Sequence, residues 1–319
     1  MQNYASQRDM MARVKESLHA HGFEAQEVER SCFDLFARDE RHLIALKVLH
    51  NVDSFGYIQA LDLKKATAKM NAAPVLIGCV GRNFELKENC VYERFDVPAM
   101  RPETFENTLE NINPLFLSKK GQTVNHISGE RMRQLRSEND ISLEELSRHV
   151  DLSKKTLYLA EKHSRMSSDS ARKVEMFFSE SITKPIDVFA WKTSEIPEYE
   201  DNSGLHAYND EKKAINCLSR AGFDCTYLKT APMKVINAFE DKIVLSAIVT
   251  GNSRKKQIND LKNISEISQN KRMIINLSSG DRDVSGVASF SVSELRSIAS
   301  CEELLERICE RERESDGSA

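Results

Sequence analysis

Long apolar runs are missing from this chain. Nowhere do about 20 apolar residues follow one another, the length a membrane-spanning helix requires. The opening stretch MQNYASQRDMMARVKE has no signal-peptide apolar core. Paired metal-ligand spacings are also missing. The seven cysteines are an odd number and form no C-x-x-C pair, so Cys32, Cys79, Cys90, Cys217, Cys225, Cys301 and Cys309 read as buried thiols in a reducing cytoplasm. Among the scattered histidines, His19 and His21 point to different faces of one helix, which leaves only a long-range Cys/His site open. Gly78-Cys79-Val80-Gly81 reads as a strand end that turns, because no Walker or dinucleotide fingerprint accompanies it. No strong charge of one sign is present either: the formal net charge is −4, so bulk electrostatics does not by itself point to nucleic acid.

What the chain does have is most concentrated in residues 142–161, SLEELSRHVDLSKKTLYLAE. They read as two short helices joined by the turn Asp151-Leu152-Ser153. Ser142 and Ser153 are good N-caps, since a serine hydroxyl can accept an orphan N–H of the first turn. Glu144 and Glu145 sit where the helix dipole favours negative charge. Leu143, Leu146 and Val150 mark the buried stripe of the first helix, and Leu157 and Ala160 that of the second. Lys154, Lys155, Thr156 and Tyr158 are left outside. A short second helix with a basic, hydroxylic outer face, held across a first helix, suits the major groove of DNA. Flanking segments complete a domain. GERMRQLRSEN (129–139) puts Met132 and Leu135 inward and Arg131, Arg133 and Arg136 outward, and Ser167–Phe178 repeats apolar residues at helical spacing. KPIDVFAW (184–191) reads as a short closing helix, the fifth. Residues 118–187 hold 13 Lys and Arg against 11 Asp and Glu, a net of +2.

This segment resembles the helix-turn-helix of the Cro and lambda-repressor family at Ser142, Leu146, Ser153, Leu157 and Glu161. It departs at Leu143, where the family has Gln, at Ser147, where it has Ala, and at Asp151, where it has the turn Gly. Aspartate tolerates left-handed backbone better than most residues. A Gln-type base contact does not carry over.

The segments on either side resemble each other. RVKESLHAHGFEA and KKAINCLSRAGFDC are amphipathic helices stopped by Gly22 and Gly222. Strand pairs follow, turning on Asp39-Glu40-Arg41 and on Glu240-Asp241-Lys242. Each copy then has a helix with Asp-Leu-Lys (Asp62 and Asp260), an apolar strand (PVLIGCV, RMIINL), the runs YERFDVPAM and VASFSVSEL, and a Glu-rich helix (PETFENTLENI, CEELLERI). The order resembles the core of PD-(D/E)xK nucleases. That site places an Asp on one strand and an acid, a spacer and a Lys on the next, so that two carboxylates hold Mg²⁺ and the Lys stabilises charge on the phosphate. Here Asp34 and Lys47 fall at suitable places, but Ala45 replaces the acid, and one carboxylate is a poor Mg²⁺ cage. A structural ion pair is the favoured reading of Asp34 and Lys47. In the second copy the counterparts align as Val235, Ser246 and Ile248.

At full length the chain is similar to an archaeal family of helix-turn-helix transcriptional regulators, through CFDLFARDERHLIALKVLHNVDSF, the DLKK helix, YERFDVPAM with PETFE, and the central helix pair. The resemblance implies sequence-specific binding of double-stranded DNA. The expected fold is α/β plus all-α: two related mixed α/β units with a restriction-endonuclease-like core bracketing a five-helix lambda-repressor-like domain. Expected boundaries are 1–117 for the first α/β domain, 118–191 for the helix-turn-helix domain with 117–128 polar and linker-like, 192–209 for a linker, 210–311 for the second α/β domain and 312–319 for a disordered tail. Lys154, Lys155 and Tyr158 are the candidate base readers; Arg131, Arg133, Thr156 and Lys162 are candidate phosphate contacts. No catalytic residue, metal or cofactor is expected. A homodimer on a pseudo-palindrome is expected, held by the α/β units, which pair within or between chains. An unidentified small-molecule effector is a further candidate partner. The location is read as cytoplasmic, with no membrane association. Two alternatives stand beside this: a Mg²⁺-dependent nuclease directed by the helix-turn-helix, for which Glu16 or Glu29 would have to supply a third carboxylate, and an RNA- or protein-binding bridging module.

Overall fold

The computed structural model describes residues 6–119, 122–191, 193, 209–249, 254–277 and 286–316. In chain order these form α1 (Gln7–Ala20), β1 (Glu24–Glu27), β2 (Leu35–Arg38), β3 (Leu43–Val48), α2 (Tyr57–Met70), β4 (Ala73–Ile77), β5 (Cys90–Arg94), β6 (Val97–Met100), α3 (Pro102–Leu109), β7 (Phe116–Lys119) and β8 (Gln122–His126). There follow α4 (Gly129–Glu138), α5 (Leu143–Val150), α6 (Lys154–His163), β9 (Arg165–Met166) and α7 (Ser168–Phe178). Last come α8 (Asn209–Arg220), β10 (Asp224–Tyr227), β11 (Val235–Phe239), β12 (Lys242–Val249), α9 (Arg254–Ser268), β13 (Lys271–Asn276), β14 (Ser289–Ser291), α10 (Val292–Ser297) and α11 (Cys301–Asp316). The chain is thus mixed α/β. Among the described residues no helix is long and apolar enough to cross a membrane. Two compact units emerge. One gathers the described residues of Met1–Val48, Ser54–Val75 and Lys192–Ala319; the other holds Leu49–Asp53 and Leu76–Trp191.

In the first unit two antiparallel meanders recur with the same register, 200 residues apart. β1 pairs with β2 from Glu24↔Arg38 to Glu27↔Leu35, and β10 pairs with β11 from Asp224↔Ala238 to Tyr227↔Val235. β2 meets β3 at Leu35↔Leu46, and β11 meets β12 at Val235↔Ser246. The loops agree as well: Val28 N donates to Asp34 O, and Leu228 N to Lys234 O. This register corrects the sequence alignment by one residue. The counterparts of Asp34, Ala45 and Lys47 are Lys234, Leu245 and Ala247, not Val235, Ser246 and Ile248. Pleated side chains alternate faces, so a one-residue slip would have exchanged core for surface. A second correction concerns the helices. The parallel pairs Ile77↔Met100 and Ile275↔Phe290 set β6 against β14, so α10 (VSELRS) matches α3, and CEELLERI is not its counterpart.

The two meanders join within one chain, and reciprocally. α9 packs on β1 and β2, while α2 packs on β11. Cys32 N donates to Thr230 O at 2.7 Å, and one oxygen of the buried Asp62 accepts both Thr230 N and Thr230 Oγ1 at 2.6 Å. Exposed pairs Lys69–Asp224 and Lys256–Glu29 flank this seam. Apolar faces supply the rest: Val14, Leu18, Phe36 and Leu46 are fully buried, as are Val235, Val244, Met273 and Phe290. Each such side chain contributes roughly 1.5–3 kcal/mol.

In the second unit β6 pairs with the end of β4 and with β5, β5 with β7, β7 with β8, and β8 with β9. The polar stretch 117–128 expected as a linker is therefore mostly strand. The fifth helix expected at 184–191 is absent. Ile186 N bonds Pro114 O, and the Asp187 carboxylate accepts Phe189 N and Ala190 N in a local turn, a conformation aspartate favours over helix. Four helices, α4 to α7, make this cluster. The tail is not wholly irregular either, because α11 runs to Asp316 through a Glu- and Arg-rich stretch of good helix formers. Apart from residues 193 and 209, the expected 192–209 linker lies outside the described residues.

Candidate nucleic-acid interface

All four helices of the cluster begin on serine. Ser128, Ser142, Ser153 and Ser167 each accept the N–H of the residue three positions on. At α5 the box is reciprocal: Glu145 N donates to Ser142 Oγ at 3.2 Å, and Ser142 N to Glu145 Oε2 at 2.8 Å. α5 stops at Asp151, in the left-handed region at φ 51°, ψ 54°, as its tolerance for that geometry leads one to expect. Ser147, in place of the small alanine, donates its hydroxyl to Leu152 O at 2.5 Å and so ties α5 to the turn. Leu146, Val150, Leu157 and Ala160 then bury against Met132, Leu135 and Val174. The orientation of α6 is fixed at both ends. The Glu161 carboxylate, almost wholly buried, takes Arg136 Nε at 3.0 Å and Arg133 Nε at 3.5 Å, both from α4. Just past its C-cap, β9 pairs with β8 at Asn125↔Met166 and His126↔Arg165.

Successive residues of a helix rotate by about 100°. Lys154, Tyr158, Lys162 and Lys155 therefore fall on one face of α6, all exposed and opposite the buried Leu157 and Ala160. The remaining candidates do not join them. Thr156 lies at the other edge with its hydroxyl on Ser153 Oγ at 2.8 Å. Arg131 is held by Glu180 at 2.6 Å and Glu138 at 3.1 Å. Arg133 keeps 61% of its side chain exposed beside Glu161. One residue of the face escaped the sequence reading: Leu159, 38% exposed next to Lys155 on the wheel. Its signal was a leucine off the buried stripe.

The nuclease-like positions look different. Lys47 Nζ, on β3, bonds Asp34 Oδ1 at 2.7 Å and Ser31 O at 3.0 Å, while Val48 N donates to Asp34 Oδ2 at 2.9 Å. Both carboxylate oxygens are thus engaged. Burial holds the Asp34 carboxyl above its usual range, outweighing the pull of Lys47 and of the Val48 N–H. Ala45 is fully buried. Glu16 is exposed on α1, and Glu29 pairs with Lys256. Among the described residues no three His, Cys, Asp or Glu side chains come together as a metal site would need.

Residues 7–114 match the PD-(D/E)XK superfamily domain. Similar proteins are named as HTH-type transcriptional regulatory proteins. One from Pyrococcus furiosus is 32% identical over 265 residues, covering 80% of this chain and 81% of the relative. One from Methanothermobacter thermautotrophicus is 29% identical over 311 residues, covering 95% and 96%. One from Methanocaldococcus jannaschii is 28% identical over 302 residues, covering 92% and 93%. No solved structure matches.

Proposed function

The chain belongs to the archaeal family of HTH-type transcriptional regulatory proteins, and from that premise we propose that it regulates transcription by binding specific duplex DNA through the outer face of α6. The observation that carries this is the row Lys154, Lys155, Tyr158 and Lys162, exposed together on a helix whose other side is anchored by Glu161 and the apolar stripe. Lysine can donate to guanine O6 and N7, and Leu159 beside it is suited to a thymine methyl. Arg133, exposed on α4, and Lys162 are the phosphate contacts. Arg131 and Thr156 are secondary, because their polar groups are held at 2.6 Å and 2.8 Å, whereas Lys154 Nζ lies 4.0 Å from its exposed partner Glu144. One helix pair spans few base pairs, so the working unit is a homodimer on a pseudo-palindrome, with recognition helices about 34–36 Å apart. Light scattering on the full chain with and without duplex tests that assembly.

A nuclease is the second reading, favoured by the match of residues 7–114. The residues argue against it: the acid position is a buried alanine, and each oxygen of the aspartate already accepts a hydrogen bond, from Lys47 and from Val48 N. The chain is therefore proposed to bind DNA without cutting it.

The test is selection of duplexes from a random pool, then titration of the recovered site and a scrambled one. Lys154→Ala is expected to cost about 1–3 kcal/mol on the recovered site and little on the scrambled one. Equal losses on both would make Lys154 a phosphate contact and remove the base-reading role.

A further inference from the structure

The seam between the repeats is locked on one side and open on the other. On the locked side the buried Asp62 of α2 holds Thr230 N and Thr230 Oγ1, and Thr230 O accepts Cys32 N. The shared register makes Arg30 the counterpart of Thr230, and Pro232 that of Cys32. Asp260 of α9 stands in the Asp-Leu-Lys where α2 has Asp62. Neither part of the lock is made there. Proline has no N–H to give to Arg30 O. Arg30 takes left-handed backbone at φ 52°, which Thr230 does not. A cavity of about 280 Å³ lies there instead, lined by Arg30, Lys229, Pro232 and Asp260 among others. Asp260 is only 9% exposed, and its carboxyl accepts no hydrogen bond among the described residues. Burial holds that carboxyl above its usual range, with Lys256 pulling the other way. A buried carboxyl without a donor is costly, and an N–H or O–H of a ligand would complete it.

The rest of the wall is cationic. Glu29 pairs with Lys256, and Lys234 gives its ammonium to Lys229 O at 2.7 Å. Arg30 and Lys229 are exposed and line the cavity, and Arg30 acts on Glu29 only through space. We infer that this open side of the seam binds a small phosphate ester with free hydroxyls, its phosphate on Arg30 and Lys229 and a hydroxyl donating to Asp260. Guanidinium and ammonium groups suit phosphate oxygens. A cationic ligand would satisfy Asp260 but meet Arg30 and Lys229 unfavourably. Ligand cavities run from about 300 to 1,000 Å³, so the ligand is a compact one.

The full chain, titrated by calorimetry with three probes, tests this. Ribose 5-phosphate carries both the anion and the hydroxyls, inorganic phosphate the anion alone, and ribose the hydroxyls alone. The expected order is ribose 5-phosphate tightest, inorganic phosphate weaker, and ribose weakest. Arg30→Ala with Lys229→Ala, both at exposed positions, should weaken ribose 5-phosphate at least about tenfold. Asp260→Ala should weaken ribose 5-phosphate by a similar factor and leave inorganic phosphate as tight as before or tighter. Without ligand, the thermal midpoint of Asp260→Ala should stay at or above the parent's, because the carboxyl it removes has no donor to lose. No saturable binding of ribose 5-phosphate, binding that survives Arg30→Ala with Lys229→Ala, or inorganic phosphate bound as tightly as the ester would each overturn the assignment. So would an Asp260→Ala variant that melts well below the parent.

Discussion

The two α/β repeats share strands, register and turns, yet they bury different polar pairs. The first buries Asp34 with Lys47. The second has Lys234 and Ala247 at those rungs, and Lys234 turns its ammonium to Lys229 O at 2.7 Å. Three rungs along it buries Asn237, whose amide donates to Ser246 Oγ at 2.7 Å and Val244 O at 2.9 Å, where the first repeat has Ala37, Leu46 and Ile44. The same meander is thus built with an ion pair or with a neutral pair. Its fold does not depend on nuclease-type residues, and the surviving Asp34 and Lys47 act as core groups that satisfy each other.

The largest expected effect tests that role. Lys47→Ala leaves a buried carboxylate without its cation and is expected to cost about 3–5 kcal/mol in chemical denaturation. Asp34→Leu combined with Lys47→Met should recover most of it, because a packed apolar pair often replaces a buried ion pair without loss. A double variant as unstable as the single one would break the comparison. Next in size is the seam between repeats. Asp62→Ala strands Thr230 N and Thr230 Oγ1 and should cost about 1–3 kcal/mol. Lys69→Ala at the exposed flank should be close to silent in the same assay.

A smaller, pH-dependent effect separates α10 from its counterpart α3. Burial would raise Glu294, but Ser291 and Arg311 outweigh it and hold its pKa down to about 2. α3 has no such side-chain cap. A depressed carboxylate stabilises the fold above its unfolded pKa, near 4.5, and loses that contribution as pH falls from there to about 2. Glu294→Gln should flatten the urea-midpoint profile across that window. Asp34 runs the other way: its raised pKa makes the folded state hold the proton more tightly, so its contribution declines as pH rises through the window just above the usual carboxylate value. A steeper loss in Glu294→Gln than in the parent would contradict the capping role.

Much of the helix pair was legible because its signals are local. Serine caps, first-turn glutamates and the Leu157–Ala160 stripe act within a few residues. β7 and β8 were not, since FLSK and QTVNH carry no apolar alternation and owe their strand state to pairing with β5 and β9. The repeats were visible, but their register was not. The charged tips Asp39-Glu40-Arg41 and Glu240-Asp241-Lys242 look alike one residue out of step, and only the ladder of Leu35↔Leu46 and Val235↔Ser246 fixes it. The Asp62–Thr230 contact spans 168 residues and leaves no mark in local sequence. At the candidate interface, Arg131 and Thr156 read in sequence as exposed polar residues, and only three-dimensional packing brings Glu180 and Ser153 to them.

The most direct measurement follows binding and integrity of one duplex together. The selected site and its scrambled form are titrated with full-length protein in Mg²⁺, with anisotropy reporting binding and a denaturing gel reporting strand length. Expected are intact DNA, a preference for the selected site of at least about 10³, loss of that preference in Lys154→Ala with Tyr158→Ala, and no change in it for Asp34→Leu with Lys47→Met. Mg²⁺-dependent cleavage that Lys47→Met abolishes, or a preference that survives without Lys154 and Tyr158, would contradict it.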